Sequence, residues 1–139
     1  MPVAPDLLAA YEATDYVVHA APDIVARPGE ISAAVDDLLA GLGVTCAAVI
    51  TAWNPFSTET IPAENAVAQA RLLARVGELG LRWLPAEGCG RDGDWPAEES
   101  LCVFGIDGEA ARALAVEFRQ NAILWLELGR APRVIVTAK

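Results

Sequence analysis

The strongest constraint on the fold is an almost uninterrupted apolar run over residues 45–53, with the sequence TCAAVITAW. A strand with one solvated face alternates apolar and polar residues, so a run without alternation is typical of a strand covered on both faces. We therefore predict a strand over residues 45–53 at the centre of a sheet with helices on both sides. A second run, LCVFGI, predicts another buried strand over residues 101–106.

Helices are predicted where apolar residues recur at intervals of three and four. The clearest such pattern covers residues 30–42, and a longer one begins at Pro62 and extends to about residue 79. A third main helix follows Asp107, whose carboxylate is a good N-cap, and it ends at Gln120. A shorter candidate helix over residues 6–11 precedes the first strand.

The other apolar stretches predict further strands over residues 16–20, 81–87, 122–128 and 133–137. The element order is then β-α-β-α-β-β-α-β-β, in which two β-β steps interrupt the alternation. We predict an α+β fold with α/β-type layers, in which a mixed sheet of about five to six strands is flanked by three main helices. The sheet is expected to contain both parallel and antiparallel neighbours. Because no linker is found, residues 1–139 are expected to form a single domain.

The negative charge is concentrated in the first half of the chain. Residues 1–70 carry nine acids and one base, residues 71–139 carry ten acids and nine bases, and the formal net charge is −9. Nucleic acid is not an expected partner, because binding it requires clustered Lys and Arg. No membrane interaction is expected either, because no apolar stretch approaches the roughly 20 residues of a membrane-spanning helix.

The cysteines and the N-terminus both bear on location. Cys46, Cys89 and Cys102 make an odd number without a C-x-x-C pair. The first residues lack the basic region of a signal peptide and include two prolines. Together these features predict a cytoplasmic protein with reduced thiols.

The most informative polar segment is TAWNPFSTETIPAEN, residues 51–65, which joins the central strand to the longest helix. In α/β sheets this junction is the usual ligand crevice. Asn54 and Ser57 supply hydrogen-bonding groups in the loop. Asn65 falls on the apolar stripe of the helix, so its amide is predicted to point inward and to need a partner. That partner is either a ligand or the loop that carries Asn54.

Two further amides, Gln120 and Asn121, stand at the end of the third main helix. They either cap that helix or join the polar cluster, if the strand that follows lies beside the central one. Glu59 and Glu64 near the start of the longest helix disfavour a highly charged anion. We therefore predict a polar pocket for a neutral or weakly charged small molecule. Its candidate ligand-binding residues are Asn54, Ser57, Asn65, Gln120 and Asn121.

Three weaker sequence patterns were considered as binding or catalytic motifs, and none of them supports a particular chemistry. GCGRDG, residues 88–93, matches G-x-G-x-x-G, but a proline and a strand follow instead of a helix, so we interpret it as a turn. The acidic residues Asp92, Asp94, Glu98 and Glu99 lack the spacing of a calcium loop, so we interpret them as a solvated acidic loop, and no metal or cofactor is predicted. The single histidine, His19, is a candidate base for Cys89, although nothing in the sequence brings the two together.

Two other functions remain as alternatives to a small-molecule site. One is a protein–protein interaction module that uses the acidic N-terminal half, although ordinary solubilising charge explains those scattered acids as well. The other is an enzyme of unknown class, with no catalytic residue assigned.

Four segments carry a resemblance to a known family: TAWNPFS, the Glu64-Asn65 pair, GDWPAEES and FRQNAILW. Together they resemble a bacterial family catalogued as domain of unknown function 3293, over about residues 14–136. In that family a glycine commonly precedes the glutamine, where this chain has Arg119. The resemblance implies a small, soluble, stand-alone bacterial domain, and it implies no particular activity, cofactor or catalytic residue.

Overall fold

Seven strands form one sheet in the structure of the protein, a computed structural model that describes residues 4–91 and 96–137. The four helices within these ranges are α1 (Pro5–Glu12), α2 (Ala33–Gly41), α3 (Pro62–Glu78) and α4 (Gly108–Glu117). The strands are β1 (Thr14–Val18), β2 (Ile24–Ala26), β3 (Cys46–Thr51), β4 (Trp83–Gly90), β5 (Glu98–Phe104), β6 (Ala122–Glu127) and β7 (Arg133–Val136). They lie in the order β2-β1-β4-β5-β3-β6-β7.

The α+β class is confirmed, but the predicted mixture of parallel and antiparallel neighbours is wrong. Every pair of adjacent strands is antiparallel. β3 and β4, which α3 connects, run in the same direction, but β5 lies between them. β5 and β6, which α4 connects, are likewise separated by β3. The unit from β3 to β6 is therefore a split βαββαβ arrangement of the ferredoxin-like kind.

The predicted counts of five to six strands and three main helices are also too low. The additional strand, β2, has only three residues and pairs with β1, so that Val25 lies opposite Val17. So short a run, within a segment marked by prolines and a glycine, gives no readable alternation of its own. The additional helix is α1, the shorter candidate over residues 6–11.

The central strand is β3, and both of its faces are buried as predicted. Ala48 and Ile50 belong to the apolar core beneath α3 and α4, whereas Ala47 and Val49 belong to the core beneath α2. Along a strand, alternate side chains point to opposite faces, so this division follows directly from the sequence CAAVIT. Helices therefore cover both sides of the sheet.

Two of the helices begin at side-chain caps. The Asp107 Oδ1 atom accepts a hydrogen bond from the Ala110 N–H over 2.8 Å, as the sequence predicts for α4. The Ser32 Oγ atom accepts one from the Val35 N–H over 3.2 Å at the start of α2. No helix in the described ranges is long and apolar enough to span a membrane.

Replacing Asp107 by alanine is expected to lower the free energy of unfolding by about 1 kcal/mol, because the Ala110 N–H loses its acceptor. Asp107→Asn keeps an acceptor at the same position and is expected to stay close to wild type. Urea denaturation of the two variants measures the difference. Equal losses of stability in both would contradict the capping role.

Candidate functional site

The loop between β3 and α3 holds three non-glycine residues in the left-handed region of backbone conformation. The φ angles are 47° at Asn54, 55° at Phe56 and 58° at Ser57. Such residues cost of order 1 kcal/mol each, and they persist only where the surrounding structure imposes them. Here the Phe56 N–H donates to the Arg119 carbonyl over 2.7 Å, and the Ser57 N–H donates to the Asn54 carbonyl over 2.8 Å.

Arg119 makes this contact with its backbone carbonyl, and it also has a left-handed backbone conformation, with a φ of 57°. Glycine is the residue that adopts this conformation most readily. The Arg119 N–H donates to the Val116 carbonyl over 3.1 Å, so the tight turn after α4 is formed in spite of the arginine.

Asn54 and Asn65 bind each other and are only 7% and 3% exposed. The Asn65 Oδ1 atom accepts from the Asn54 N–H over 2.9 Å, and the Asn65 Nδ2 atom donates to Asn54 Oδ1 over 3.0 Å. Asn65 Nδ2 also donates to the Thr60 carbonyl over 3.2 Å, and Asn54 Oδ1 accepts from the Thr60 N–H over 3.0 Å. The inward orientation predicted for Asn65 is thus confirmed, and its partner in the structure is the loop.

The nitrogen of the Asn54 side-chain amide contacts the sheet. Its Nδ2 atom donates to the Glu98 Oε2 atom at the start of β5 over 2.7 Å. One turn after Asn65, the Gln69 Oε1 atom accepts from the Ala52 N–H over 3.0 Å. The amides of Asn54, Asn65 and Gln69 therefore fix the end of β3, the loop and one carboxylate of β5 relative to one another.

Beside this network lies a cavity of about 360 Å³ between α1 and the sheet. It is on the face that α2 also covers, since Val49 and Leu124 belong both to that core and to the cavity wall. Its apolar lining includes Leu7, Ala10, Val49, Ala122 and Leu124. Its polar lining includes Tyr11, Thr51, Ser57, Ser100, Gln120 and Asn121, with Glu98 as a charged member.

Tyr11 joins three parts of the cavity wall. Its hydroxyl lies 2.6 Å from the Ser57 Oγ atom and accepts from the Asn121 Nδ2 atom over 3.1 Å. These two contacts connect α1 to the strained loop and to the start of β6. These contacts help to hold α1 in place, because the helix has no buried residue to anchor it.

The five predicted site residues separate into two groups. Ser57, Gln120 and Asn121 line the cavity, whereas Asn54 and Asn65 form the hydrogen-bonded network behind it. Gln120 also holds the local backbone, because its Nε2 atom donates to the Trp53 carbonyl over 3.0 Å and to the Phe118 carbonyl over 3.2 Å.

Sequence reasoning missed several residues of the cavity wall. These are Tyr11, Tyr16, Thr51, Glu98 and Ser100. One signal was available, because Thr51 and Ser100 are hydroxyl residues next to the apolar runs of β3 and β5. In the sheet they are direct partners in the register of β3 and β5.

Burial governs the titrating groups at the cavity and near it. It raises the pKa of the Tyr16 phenol, and the negative charge of Glu98 acts in the same direction, so Tyr16 is neutral at physiological pH. Burial also raises the pKa of the Cys89 thiol, which disfavours a nucleophilic thiolate. His19 contacts acidic residues instead, with Nδ1 3.2 Å from Asp23 Oδ2 and Nε2 3.6 Å from Glu87 Oε1.

Acidic residues of the N-terminal half contribute to the fold. The Asp15 carboxylate accepts from the Nε atoms of Arg27 and Arg91 over 3.0 and 2.6 Å, and these guanidiniums hold its pKa below the usual range. The Asp36 Oδ1 atom accepts from the Gly129 N–H over 3.0 Å. No group of three or more metal-ligating side chains occurs within the described ranges.

The turn predicted over residues 88–93 is wrong for its first three residues, because β4 continues to Gly90 and Gly88 pairs with both Tyr16 and Glu98. Residues 92 and 93 of that prediction lie outside the described ranges.

The fold and the site define a small α+β protein in which a ferredoxin-like unit carries a cavity, partly polar and partly apolar, under an N-terminal helix. The chain belongs to the family described as "Protein of unknown function (DUF3293)", whose family model matches residues 50–123. That range begins in β3, ends in β6 and includes all five predicted site residues. No curated protein and no solved structure matches the chain.

Proposed function

We propose that the protein binds a small, neutral or weakly charged organic molecule in the cavity beneath α1. The observation that carries this proposal is the composition of the wall, where an apolar floor that includes Val49 and Leu124 meets the side chains of Ser57 and Asn121. Small-molecule sites are typically cavities of roughly 300–1,000 Å³ with mostly apolar walls and a few convergent polar groups. The volume of about 360 Å³ falls within that range.

The strained loop supports the same site. Left-handed conformations at non-glycine residues are concentrated at binding sites, where the strain holds a group in place. The three such residues of this loop, Asn54, Phe56 and Ser57, place the Ser57 hydroxyl at the cavity wall and against Tyr11.

The proposal is tested by thermal-shift screening of a metabolite library against the wild type and a Gly88→Val variant. A Cβ atom at Gly88 would meet the Thr14 Cγ2 atom and the Tyr16 ring at 3.6 Å, an ordinary contact distance, and circular dichroism of the variant checks that the two γ-carbons of valine leave the fold intact. Because Gly88 lines the cavity, the branched side chain takes up part of the ligand space.

A ligand at about 100 times its dissociation constant adds about 2.7 kcal/mol to the stability of the folded state. Adding such a ligand is therefore expected to raise the melting temperature of the wild type by several degrees and to leave that of Gly88→Val unchanged. Gly77→Ala is the matched control, because an added Cβ there meets nothing within 4 Å. A library without any hit on the wild type, or hits that persist in Gly88→Val, would refute the proposal.

A further inference from the structure

Gln120 carries an acceptor that no group in the described ranges uses. Its Nε2 atom donates to the Trp53 carbonyl over 3.0 Å and to the Phe118 carbonyl over 3.2 Å, so both amide hydrogens are engaged and the orientation of the amide is fixed. Its Oε1 atom accepts no hydrogen bond from a described residue. The side chain is 7% exposed, and it lines the cavity.

The Gln120 oxygen is nevertheless not sealed among apolar groups. In the described ranges, the side-chain nitrogens and oxygens that are both enclosed and without a partner are Trp53 Nε1 and Gln69 Nε2. Gln120 Oε1 therefore still borders open space, and the space that Gln120 lines is the cavity. Because nearly all buried acceptors are hydrogen-bonded, this one favours a ligand that brings a donor.

Tyr11 and Ser57 hold the complementary group, which is a hydroxyl hydrogen. Their two oxygens lie 2.6 Å apart, which is one hydrogen bond, whereas the two hydroxyls together have two hydrogens. The Asn121 Nδ2 atom donates to the Tyr11 oxygen and so uses neither of them. No other acceptor in the described ranges is bonded to either hydroxyl. Whichever hydroxyl donates to the other, one hydrogen remains for a ligand in the cavity that both residues line.

The wall thus offers one donor and one acceptor, and neither is charged. Asn121, which contacts the Tyr11 hydroxyl, follows Gln120 directly in the chain, so the two groups belong to the same part of the wall. A carboxylate has acceptors only and an ammonium group has donors only, so each would leave one of the two wall groups unpaired. An amide presents a carbonyl oxygen and an N–H on separate atoms, and it satisfies both.

We infer that the ligand carries an uncharged carboxamide on an apolar body. The amide oxygen accepts from the Tyr11–Ser57 hydroxyl pair, and the amide N–H donates to the Gln120 Oε1 atom. The apolar body lies against Val49 and Leu124. This inference rests on the proposed function and names the class of molecule that the same cavity takes.

The test uses three probes that share a phenyl ring and a carbonyl carbon and differ in one substituent: benzamide, acetophenone and benzoate. Dissociation constants are measured by ligand-observed NMR at pH 7 with the whole chain. Benzamide is expected to bind about tenfold more tightly than acetophenone, whose methyl group would leave the Gln120 oxygen buried without a partner. Benzoate is expected to bind most weakly, because it has no N–H and the described lining residues include no Lys, Arg or His.

The side-chain amide signals of Gln120 locate the contact in the isotope-labelled protein. They are expected to shift when benzamide is added and to shift less with acetophenone. The chain has two glutamines, and the other one, Gln69, is the matched control. Its Oε1 atom already accepts from the Ala52 N–H and the residue does not line the cavity, so its signals are expected to stay in place.

The double variant Tyr11→Phe/Ser57→Ala removes both hydroxyls and with them the remaining hydrogen. Benzamide and acetophenone both present a carbonyl oxygen, so each is expected to bind about fivefold more weakly, and the preference for benzamide is expected to persist. Thr58→Val is the control, because it removes a hydroxyl from the same loop at an exposed position outside the cavity. It is expected to bind all three probes as the wild type does.

The outcomes separate this inference from the proposal on which it rests. Equal affinities for benzamide and acetophenone, or a preference for benzoate, would refute the amide and leave a small-molecule site. Gln120 signals that do not move with benzamide, or unchanged affinities in the double variant, would refute the assignment to these wall groups. Binding of none of the probes to the wild type would refute the amide, and together with an empty metabolite screen it would overturn both.

Discussion

Asn65→Ala is expected to lower the free energy of unfolding by about 3 kcal/mol. The substitution removes one hydrogen bond accepted from the Asn54 N–H and two donated to Asn54 Oδ1 and the Thr60 carbonyl. Asn65 is 3% exposed, so water does not replace those bonds. A buried polar group left without a partner costs about 1–3 kcal/mol, and this substitution leaves both a donor and an acceptor in that condition.

Asn121→Ala is the matched control for Asn65→Ala. It removes the same side chain, but Asn121 is partly exposed and its amide makes a single hydrogen bond, to the Tyr11 hydroxyl, which stays in contact with Ser57. The expected loss is about 1 kcal/mol or less. Urea denaturation of both variants gives the comparison. If Asn121→Ala were as destabilising as Asn65→Ala, the network behind the cavity would not be what fixes the loop.

Leu72→Ala is expected to lower the free energy of unfolding by about 3–4 kcal/mol. Leu72 is 0% exposed and lies in the apolar core between α3 and the sheet. Deleting a buried leucine side chain removes its transfer free energy and leaves a cavity, and the usual cost is about 2–5 kcal/mol. Thermal unfolding is expected to show a correspondingly lower melting temperature.

The neighbouring residue supplies the control, because Leu73 lies on the same helix and is 37% exposed. Leu73→Ala changes the helix propensity by the same amount, so the difference between the two variants isolates the effect of burial. Its expected cost is below about 1 kcal/mol. Similar losses at both positions would show that α3 does not bury the face that carries Leu72.

The individual helices and strands could be predicted because each depends on the pattern of residues within its own segment. The helix predicted over residues 62–79 is α3, Pro62–Glu78, since an apolar stripe and an initial proline mark it. The neighbours of each strand could not be predicted in the same way. Ala48 pairs with Val103 on one side and with Trp125 on the other, and nothing in the residues around Ala48 specifies either partner.

The candidate site shows the same division between local and distant causes. The helical stripe predicted that Asn65 points inward, because that orientation depends on a period within one helix. It left the partner open, and the structure supplies Asn54. Tyr11 reaches Ser57 across 46 positions of the chain, so no local pattern could predict that contact. The left-handed conformation of Phe56 is invisible in sequence as well, because it is imposed by the Arg119 carbonyl.

The position of β3 at the centre of the sheet has a consequence for the order of events during synthesis. Both of its neighbours, β5 and β6, come later in the chain, so β3 leaves the ribosome before either of them. Until β6 has followed, the apolar segment CAAVIT has an unpaired edge, and segments of this kind are prone to aggregate. Pairings between such distant segments also slow folding. The interval between the synthesis of β3 and that of β6 is therefore the one in which this apolar edge is exposed in the nascent chain.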